Sequence, residues 1–85
     1  MKRWMVQLTS RQLKTLKPEQ LELGTLVSSS SGSHYLLFRD DFVALKVARG
    51  LGAKRSRALT LPETSTLYSA PIAQLDDGAY LFAEA

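Results

Sequence analysis

The stretch from Asp40 to Arg57 reads DDFVALKVARGLGAKRSR and combines a helix start, an apolar face and positive charge. At 100° per residue, one broad side carries the apolar residues Val43, Ala44, Leu45, Val47, Ala48 and Leu51. Asp40 or Asp41 can accept hydrogen bonds from the first free amides, and Gly50 and Gly52 are natural helix ends. We therefore predict a central helix that begins near Asp40.

A strand remains an alternative structure for the same stretch. Phe and Val favour strands, so residues 42–48 could pair with Tyr35–Phe38 through a turn at Arg39–Asp41. Short apolar runs are ambiguous between the two structures. We prefer the helix because this run has a helix start before it and glycines after it.

The composition of the 85-residue chain narrows its class. The length predicts one small domain, residues 1–85. The absence of cysteine excludes a disulfide framework and a thiolate metal site, and it fits a reducing cytoplasm. No apolar run has the length of a signal sequence or the ~20 residues of a membrane span. We therefore expect a cytoplasmic domain without a membrane segment.

The N-terminal residues predict a strand followed by a broken helical segment. Trp4–Thr9 alternates loosely between apolar and polar residues, as a strand does. Thr9 and Ser10 can cap a helical segment over residues 10–23. Pro18 divides this segment into two short helices or one kinked helix, because the residue before a proline avoids the helical region.

A strand pair is expected next. Thr25–Val27 and Tyr35–Phe38 are the predicted partners, and the polar loop Ser28–Ser33 joins them. We expect this loop to be mobile, since nothing in it is suited to burial. His34 is the only histidine, and at the edge of a strand it is expected to be an exposed side chain.

The clearest hairpin signal lies in residues 67–83. Asp77-Gly78 is a favoured two-residue turn, because both of its positions need positive φ. With that turn, the pairs that share one apolar face are Leu75 with Tyr80 and Ala73 with Phe82. We expect this face to pack against the central helix. The predicted fold is thus α+β: a short N-terminal helical segment, a central helix or helix-turn-helix, and a C-terminal β-hairpin.

Catalytic and metal-binding patterns are absent from the sequence. A nucleophilic triad would have to use His34 among the loop serines. The pairs Asp40–Asp41 and Asp76–Asp77 could offer oxygen ligands to a hard cation, but a helix cap and a turn explain them. Gly50-Leu51-Gly52 lacks the third glycine of a dinucleotide fingerprint. We predict a binding protein that is not an enzyme and has no cofactor.

Positive charge is concentrated in the second half of the central stretch. No acidic residue occurs between Phe42 and Pro62, whereas Lys46, Arg49, Lys54, Arg55 and Arg57 all lie there. Residues 44–61 resemble the helix-turn-helix of bacterial repressors. The small residue at the helix crossing would be Ala48, the turn glycine would be Gly52, and the core positions would be Val47, Leu51, Ala53 and Leu61.

The resemblance implies a second helix in the major groove of DNA. The candidate nucleic-acid-binding residues are Lys46, Arg49, Lys54, Arg55, Ser56, Arg57 and Thr60. The layout would resemble a winged helix, with the hairpin 67–83 serving the core or a homodimer interface, because Asp76–Asp77 repels phosphate. We therefore predict a regulator that binds double-stranded DNA.

A protein-binding inhibitor or adaptor is the alternative function. Small domains with edge strands often act through a partner surface. The candidate anchors are Trp4, Tyr35, Phe42, Tyr68 and Tyr80. DNA binding should weaken steeply with salt, whereas an aromatic-anchored protein interface should not.

Overall fold

Six antiparallel strands dominate the computed structural model, which describes residues 2–54, 56–61 and 70–84. The strands are β1 (Lys2–Leu8), β2 (Thr25–Ser29), β3 (His34–Phe38), β4 (Arg57–Thr60), β5 (Ala73–Gln74) and β6 (Tyr80–Ala83). They lie in the order β4–β1–β3–β2–β6–β5 and curl into a half-barrel. The helices are α1 (Ser10–Lys14), α2 (Pro18–Leu23) and α3 (Asp41–Leu51). Within the described ranges, no helix is long and apolar enough to cross a bilayer.

Helix α3 confirms the predicted central helix over the strand alternative. The Asp40 side chain accepts a hydrogen bond of 2.8 Å from the amide of Phe42. The helix ends at Gly52, whose φ of 67° is left-handed. Its buried side consists of Ala44, Val47 and Ala48.

The predicted N-terminal elements are also present. Thr9 and Gln12 form a capping box at the start of α1, with reciprocal hydrogen bonds of 2.9 and 3.2 Å. Helix α2 begins at Pro18, so the segment forms two short helices. β2 and β3 pair as expected, with Thr25 opposite Leu37.

The prediction of a helix-led α+β fold is wrong, because most elements join one sheet. Residues 57–60, which the helix-turn-helix would place in its second helix, form β4 and pair antiparallel with β1. A four-residue run is too short to specify a helix, and β1 offers it hydrogen bonds along an open edge. Neither a second helix after α3 nor a winged-helix layout occurs in the described residues.

The sheet separates two apolar clusters. One side, which we call the helix side, is covered by α1 and α3; its buried residues are Val6, Leu8, Leu36, Phe38, Ala44, Val47 and Ala48. The other side, which we call the open side, buries Met5, Val27, Tyr35, Leu37, Leu61, Ile72, Ala73, Leu75 and Leu81. Successive residues of a strand point to opposite sides, so β1 contributes to both clusters.

The hairpin register differs from the prediction by one residue. Gly78 donates to the carbonyl of Leu75 at 2.9 Å, and the Leu75 amide donates to the carbonyl of Ala79 at 2.7 Å. The loop therefore has three residues, with Gly78 at a φ of 88°. As a result Ala73 pairs with Leu81, not with Phe82.

The shifted register reverses the faces of β6. Leu81 is buried in the open-side cluster, whereas Tyr80 and Phe82 are 44% and 38% exposed. A one-residue slip has this effect because side chains alternate along a strand. The prediction that the hairpin packs on α3 is therefore wrong: its inner face lies across the sheet from that helix. Residues 67–69 of the predicted hairpin lie outside the described residues.

The serine-rich loop makes more contacts with the sheet than expected. Ser29 is buried in β2, and its hydroxyl lies 2.7 Å from that of Ser31. The Ser30 hydroxyl accepts a hydrogen bond of 2.9 Å from the amide of Tyr80. The expectation that nothing in this loop is buried is wrong, because the loop contacts β6 through polar groups.

Candidate nucleic-acid interface

An open groove runs over β1 and β4 on the open side of the sheet. It contains two depressions of about 390 and 590 Å³, whose shared walls are Met5, Arg57 and Ala58. The first depression extends to the β5–β6 turn, and the second extends to Gln7, Lys54 and Ser56. A smaller depression of about 250 Å³ continues from Gln7 and Lys54 to Thr9, Gln12 and Gly52. We call the whole feature the β4 groove.

Local structure positions the two cations of the groove. Arg57 lies opposite Met5 in the β1–β4 register, which places its side chain on the open side. Lys54 follows the left-handed end of α3. There the Ala53 amide donates to the carbonyl of Ala48 at 2.9 Å, and the Ala53 side chain packs on the helix-side cluster.

Polar side chains complete the wall. Gln12 donates from Nε2 to the Leu51 carbonyl at 3.2 Å and so ties α1 to the end of α3. Gln7, Ser56 and Thr60 add further amide and hydroxyl groups to the lining. The groove is therefore walled by three segments that are distant in sequence.

The two ends of the groove carry opposite charge. Lys54 lies towards one end, and Asp76 and Asp77 lie on the turn at the other. Arg57 lies between them and lines the same depression as the two aspartates. Across the described residues, the one ion pair within 4.0 Å joins His34 and Glu84. Neither groove cation therefore has a carboxylate within 4.0 Å among those residues.

The seven candidate residues predicted from the sequence do not form one surface. Those that line the β4 groove are Lys54, Ser56, Arg57 and Thr60. Lys46 and Arg49 are exposed on α3, which packs on the other side of the sheet. Arg55 lies outside the described residues. The pairing of β4 with β1 thus places on different surfaces the cations that a helix-turn-helix would have placed on one surface.

Other groove residues were missed by the sequence analysis. Gln7 and Gln12 belong to β1 and α1, and Asp76 and Asp77 were recognised as a turn. Their grouping with Lys54 and Arg57 in one groove depends on the pairing of β1 with β4 and on the curl of the sheet. No local sequence pattern carries that information.

The outer face of α3 forms a second candidate surface. Phe42 is 80% exposed and Leu45 is 36% exposed. At 100° per residue they share one face with Lys46 and Arg49, opposite the buried residues of the helix. We call these four residues the α3 stripe.

The other predicted aromatic anchors have different environments. Tyr35 is buried in the open-side cluster, and Trp4 is half-buried with the Lys2 ammonium 4.9 Å from its ring centroid. Tyr80 is partly exposed on β6. Tyr68 lies outside the described residues. Phe42 is thus the most exposed of the described candidates.

His34 is not a free exposed side chain. Its Nδ1 lies 2.8 Å from Oε1 of Glu84, and both side chains are partly buried. The pair connects β3 with the end of β6 across β2. In the part of the chain that the structure describes, no group of three or more His, Asp or Glu side chains could hold a metal ion.

Comparisons of the chain with protein-family models, with curated proteins and with solved structures give no match. Similarity to known proteins therefore does not assign a function to these surfaces. The choice between them rests on fold, geometry and charge.

Proposed function

We propose that the protein binds double-stranded DNA through the β4 groove and acts as a regulator. The supporting observation is that Lys54 and Arg57 lie in one open groove and that neither has a described carboxylate within 4.0 Å. Ser56, Thr60 and Gln7 add hydrogen-bonding groups beside these cations. Lysine, arginine, serine, threonine and glutamine side chains are among the groups that donate hydrogen bonds to phosphate oxygens in protein–DNA complexes.

The lining of the groove favours contacts with the sugar–phosphate backbone. None of the described lining residues is aromatic, so the stacking surface that single-stranded nucleic acids use is missing there. Phosphate contacts need only cations and hydrogen-bond donors. A duplex, which presents its phosphates outward, is therefore the preferred ligand.

The acidic turn sets the direction of the proposed path. Phosphates are attracted by Lys54 at one end and by Arg57 in the middle, and they are repelled by Asp76 and Asp77 at the other end. The DNA backbone would therefore follow the groove from Gln12 to Arg57 and leave it before the turn. Replacing both aspartates with asparagine should strengthen binding.

Two double variants with the same charge change test the proposal. Lys54→Gln/Arg57→Gln removes the groove cations, and Lys46→Gln/Arg49→Gln removes two cations from α3. Duplexes enriched from a random-sequence library would be titrated at low salt by fluorescence anisotropy. The groove variant should bind about tenfold more weakly or worse, because each good contact is worth ~1–3 kcal/mol. The α3 variant should bind almost as well as the parent.

Salt dependence provides a second measurement. Loss of two phosphate contacts should reduce the slope of log affinity against log salt by about 2 in the groove variant. Equal weakening of both variants would indicate general attraction to positive charge and contradict the groove. Failure of the library to yield any bound duplex would also contradict the proposal.

A protein partner with an acidic, amphipathic segment is the second candidate, and the exposure of Phe42 favours it. The α3 stripe combines Phe42 and Leu45 with Lys46 and Arg49, and neither cation has a described carboxylate within 4.0 Å. Over about 10 Å of helix, these residues offer apolar anchors and positive charge together. Acidic residues alternating with large apolar ones would complement both features.

Peptide display provides the test of this second candidate. Random peptides would be selected on the parent and counter-selected on Phe42→Ser, which should fold normally because Phe42 is so exposed. Enriched peptides should contain acidic and large apolar residues and should lose binding to Lys46→Glu/Arg49→Glu. Enrichment of basic peptides, or of none, would contradict a partner at this stripe.

A further inference from the structure

A separate pocket of about 280 Å³ lies at the end of β1 that carries Arg3. Its lining consists of Arg3, Glu22, Leu23, Gly24, Thr25, Leu37 and Arg39. None of these residues lines the β4 groove. The pocket can therefore be considered independently of DNA binding.

Arg3 is unusual because it is buried without a counter-ion. Its side chain belongs to a residue that is 9% exposed, and no described carboxylate lies within 4.0 Å of it. Its one hydrogen bond runs from an end nitrogen to the Lys2 carbonyl at 3.3 Å. A guanidinium has five N–H donors, and buried charges are normally paired. Most of the hydrogen-bonding capacity of Arg3 is thus unused by the described residues.

The unused donors remain within reach of a ligand. No fully buried side-chain nitrogen or oxygen in the described chain lacks a partner. The guanidinium nitrogens of Arg3 that make no hydrogen bond are therefore not sealed off from solvent. Arg3 lines the pocket, so a ligand in the pocket would lie beside the Arg3 side chain.

Sheet register brings a second guanidinium to the same pocket. Trp4 pairs with Phe38; Arg3 precedes Trp4 in β1, and Arg39 directly follows the last residue of β3. Both line the pocket, so two like charges lie at one site. An anion between them would offset their mutual repulsion and accept hydrogen bonds from both.

The rest of the wall restricts the size and charge of the ligand. Thr25 contributes a hydroxyl to the lining. Glu22 is the single carboxylate of the lining, so two positive charges exceed one negative charge. The volume is slightly below the ~300–1,000 Å³ of typical small-molecule sites.

We propose that this pocket binds a phosphate group, either as inorganic phosphate or as the phosphomonoester of a small molecule. The planar donors of Arg3 and Arg39 match tetrahedral oxyanions, which accept two parallel hydrogen bonds from one guanidinium. Glu22 accepts a hydrogen bond from a hydroxyl of the same ligand. A phosphomonoester with a neighbouring hydroxyl therefore suits the pocket better than phosphate alone.

Titration calorimetry with inorganic phosphate and with glycerol 3-phosphate, at constant ionic strength, tests the site. The parent should bind both saturably, with glycerol 3-phosphate tighter. Arg39→Gln should weaken phosphate binding about tenfold while keeping the melting temperature, because Arg39 is exposed. Glu22→Gln should strengthen the binding of inorganic phosphate several-fold, because a like charge is removed. Arg11→Gln, which changes an exposed arginine of α1 outside the pocket and the groove, is the matched control and should behave as the parent.

Several results would overturn the proposal. The parent could give no saturable heat with either anion, or Arg39→Gln and Arg11→Gln could weaken binding equally. An unchanged affinity in Arg39→Gln would also exclude the site. Because the pocket and the β4 groove share no lining residue, DNA binding can fail while phosphate binding persists, and the two proposals remain distinguishable.

Discussion

The two sides of the sheet bury similar apolar clusters but are covered in different ways. On the helix side, α1 and α3 lie over the strands and pack on them. On the open side, the cover comes from the curl of the sheet and the hairpin, which leaves the β4 groove and the Arg3 pocket. The cations of the groove and the pocket are Lys54, Arg57, Arg3 and Arg39, and they belong to the open side or its rim. We infer that the packed face of the helix side mainly stabilises the fold, whereas the open side carries the groove and the pocket that we propose as binding sites.

The alternation of residues on β1 accounts for this division. Trp4, Val6 and Leu8 point to the helix side and are all apolar. Arg3, Met5 and Gln7 point to the open side, where only the middle one is apolar. The continuous apolar face of such a strand is suited to packing against helices. Its mixed face leaves polar groups that are available to ligands.

The largest effect is expected on the helix side, from Val47→Asp. Val47 is 6% exposed and packs between α3 and the sheet. Burial of an unpaired carboxylate there should cost several kcal/mol, a large part of the ~5–15 kcal/mol that holds a domain together. The variant should therefore unfold at ordinary temperature, as measured by circular dichroism. Lys46→Asp, on the exposed side of the same helix, should have a melting temperature close to that of the parent. Equal melting temperatures for the two variants would contradict the orientation of α3.

The next effect is expected on the open side, where Leu81→Ala tests the hairpin register. Leu81 is 0% exposed, so its truncation should lower the free energy of unfolding by ~2–5 kcal/mol. Phe82→Ala is the matched control and should cost less than about 1 kcal/mol, because most large losses come from buried side chains. Urea unfolding of both variants measures the difference. A larger loss for Phe82 than for Leu81 would support the two-residue turn instead.

These two regions also differ in how far the sequence predicted them. The limits of α3 followed from local signals, since Asp40 caps the helix and Gly52 ends it within twelve residues. In the hairpin, Asp76-Asp77-Gly78 is compatible with a two-residue or a three-residue loop. The pairing of β6 with β2 selects the three-residue loop, and β2 lies about fifty residues earlier in the chain. Local patterns contain no information about that pairing.

The candidate sites were less predictable than the helices for the same reason. Lys54 and Arg57 were found from their charge, but the grouping with Gln7 required the β1–β4 pairing. Arg3 and Arg39 are 36 positions apart in the numbering and meet only through the β1–β3 register. A sequence can thus indicate which residues bear charge, whereas the topology decides which of them share a site.

A smaller effect is expected for Gly24→Ala, at the point where β2 begins beside the Arg3 pocket. An added Cβ would lie 2.8 Å from Cε1 of Phe38 and 3.0 Å from the Leu37 carbonyl. The strand must shift to relieve this contact, and overpacking of this kind typically costs ~1–3 kcal/mol. Thermal unfolding would measure the loss. Gly50→Ala is the control and should be neutral or slightly stabilising, because a Cβ at this helical position meets nothing within 4 Å.

The smallest effect concerns the part of the helix-side face that carries His34 and Glu84. Here the side chains of β3 and β6 are linked by the contact of 2.8 Å between Nδ1 of His34 and Oε1 of Glu84. Because both groups are partly exposed, water competes for them and their coupling should be only about 0.5–1 kcal/mol. A double-mutant cycle with His34→Ala and Glu84→Ala, followed by urea unfolding, isolates that coupling from the other losses of each variant. If the coupling is zero, the hydrogen bonds between β2 and β6 hold the end of the sheet without this pair. If it instead exceeds the value expected for a partly exposed pair, polar contacts stabilise this end of the sheet in place of a covering helix.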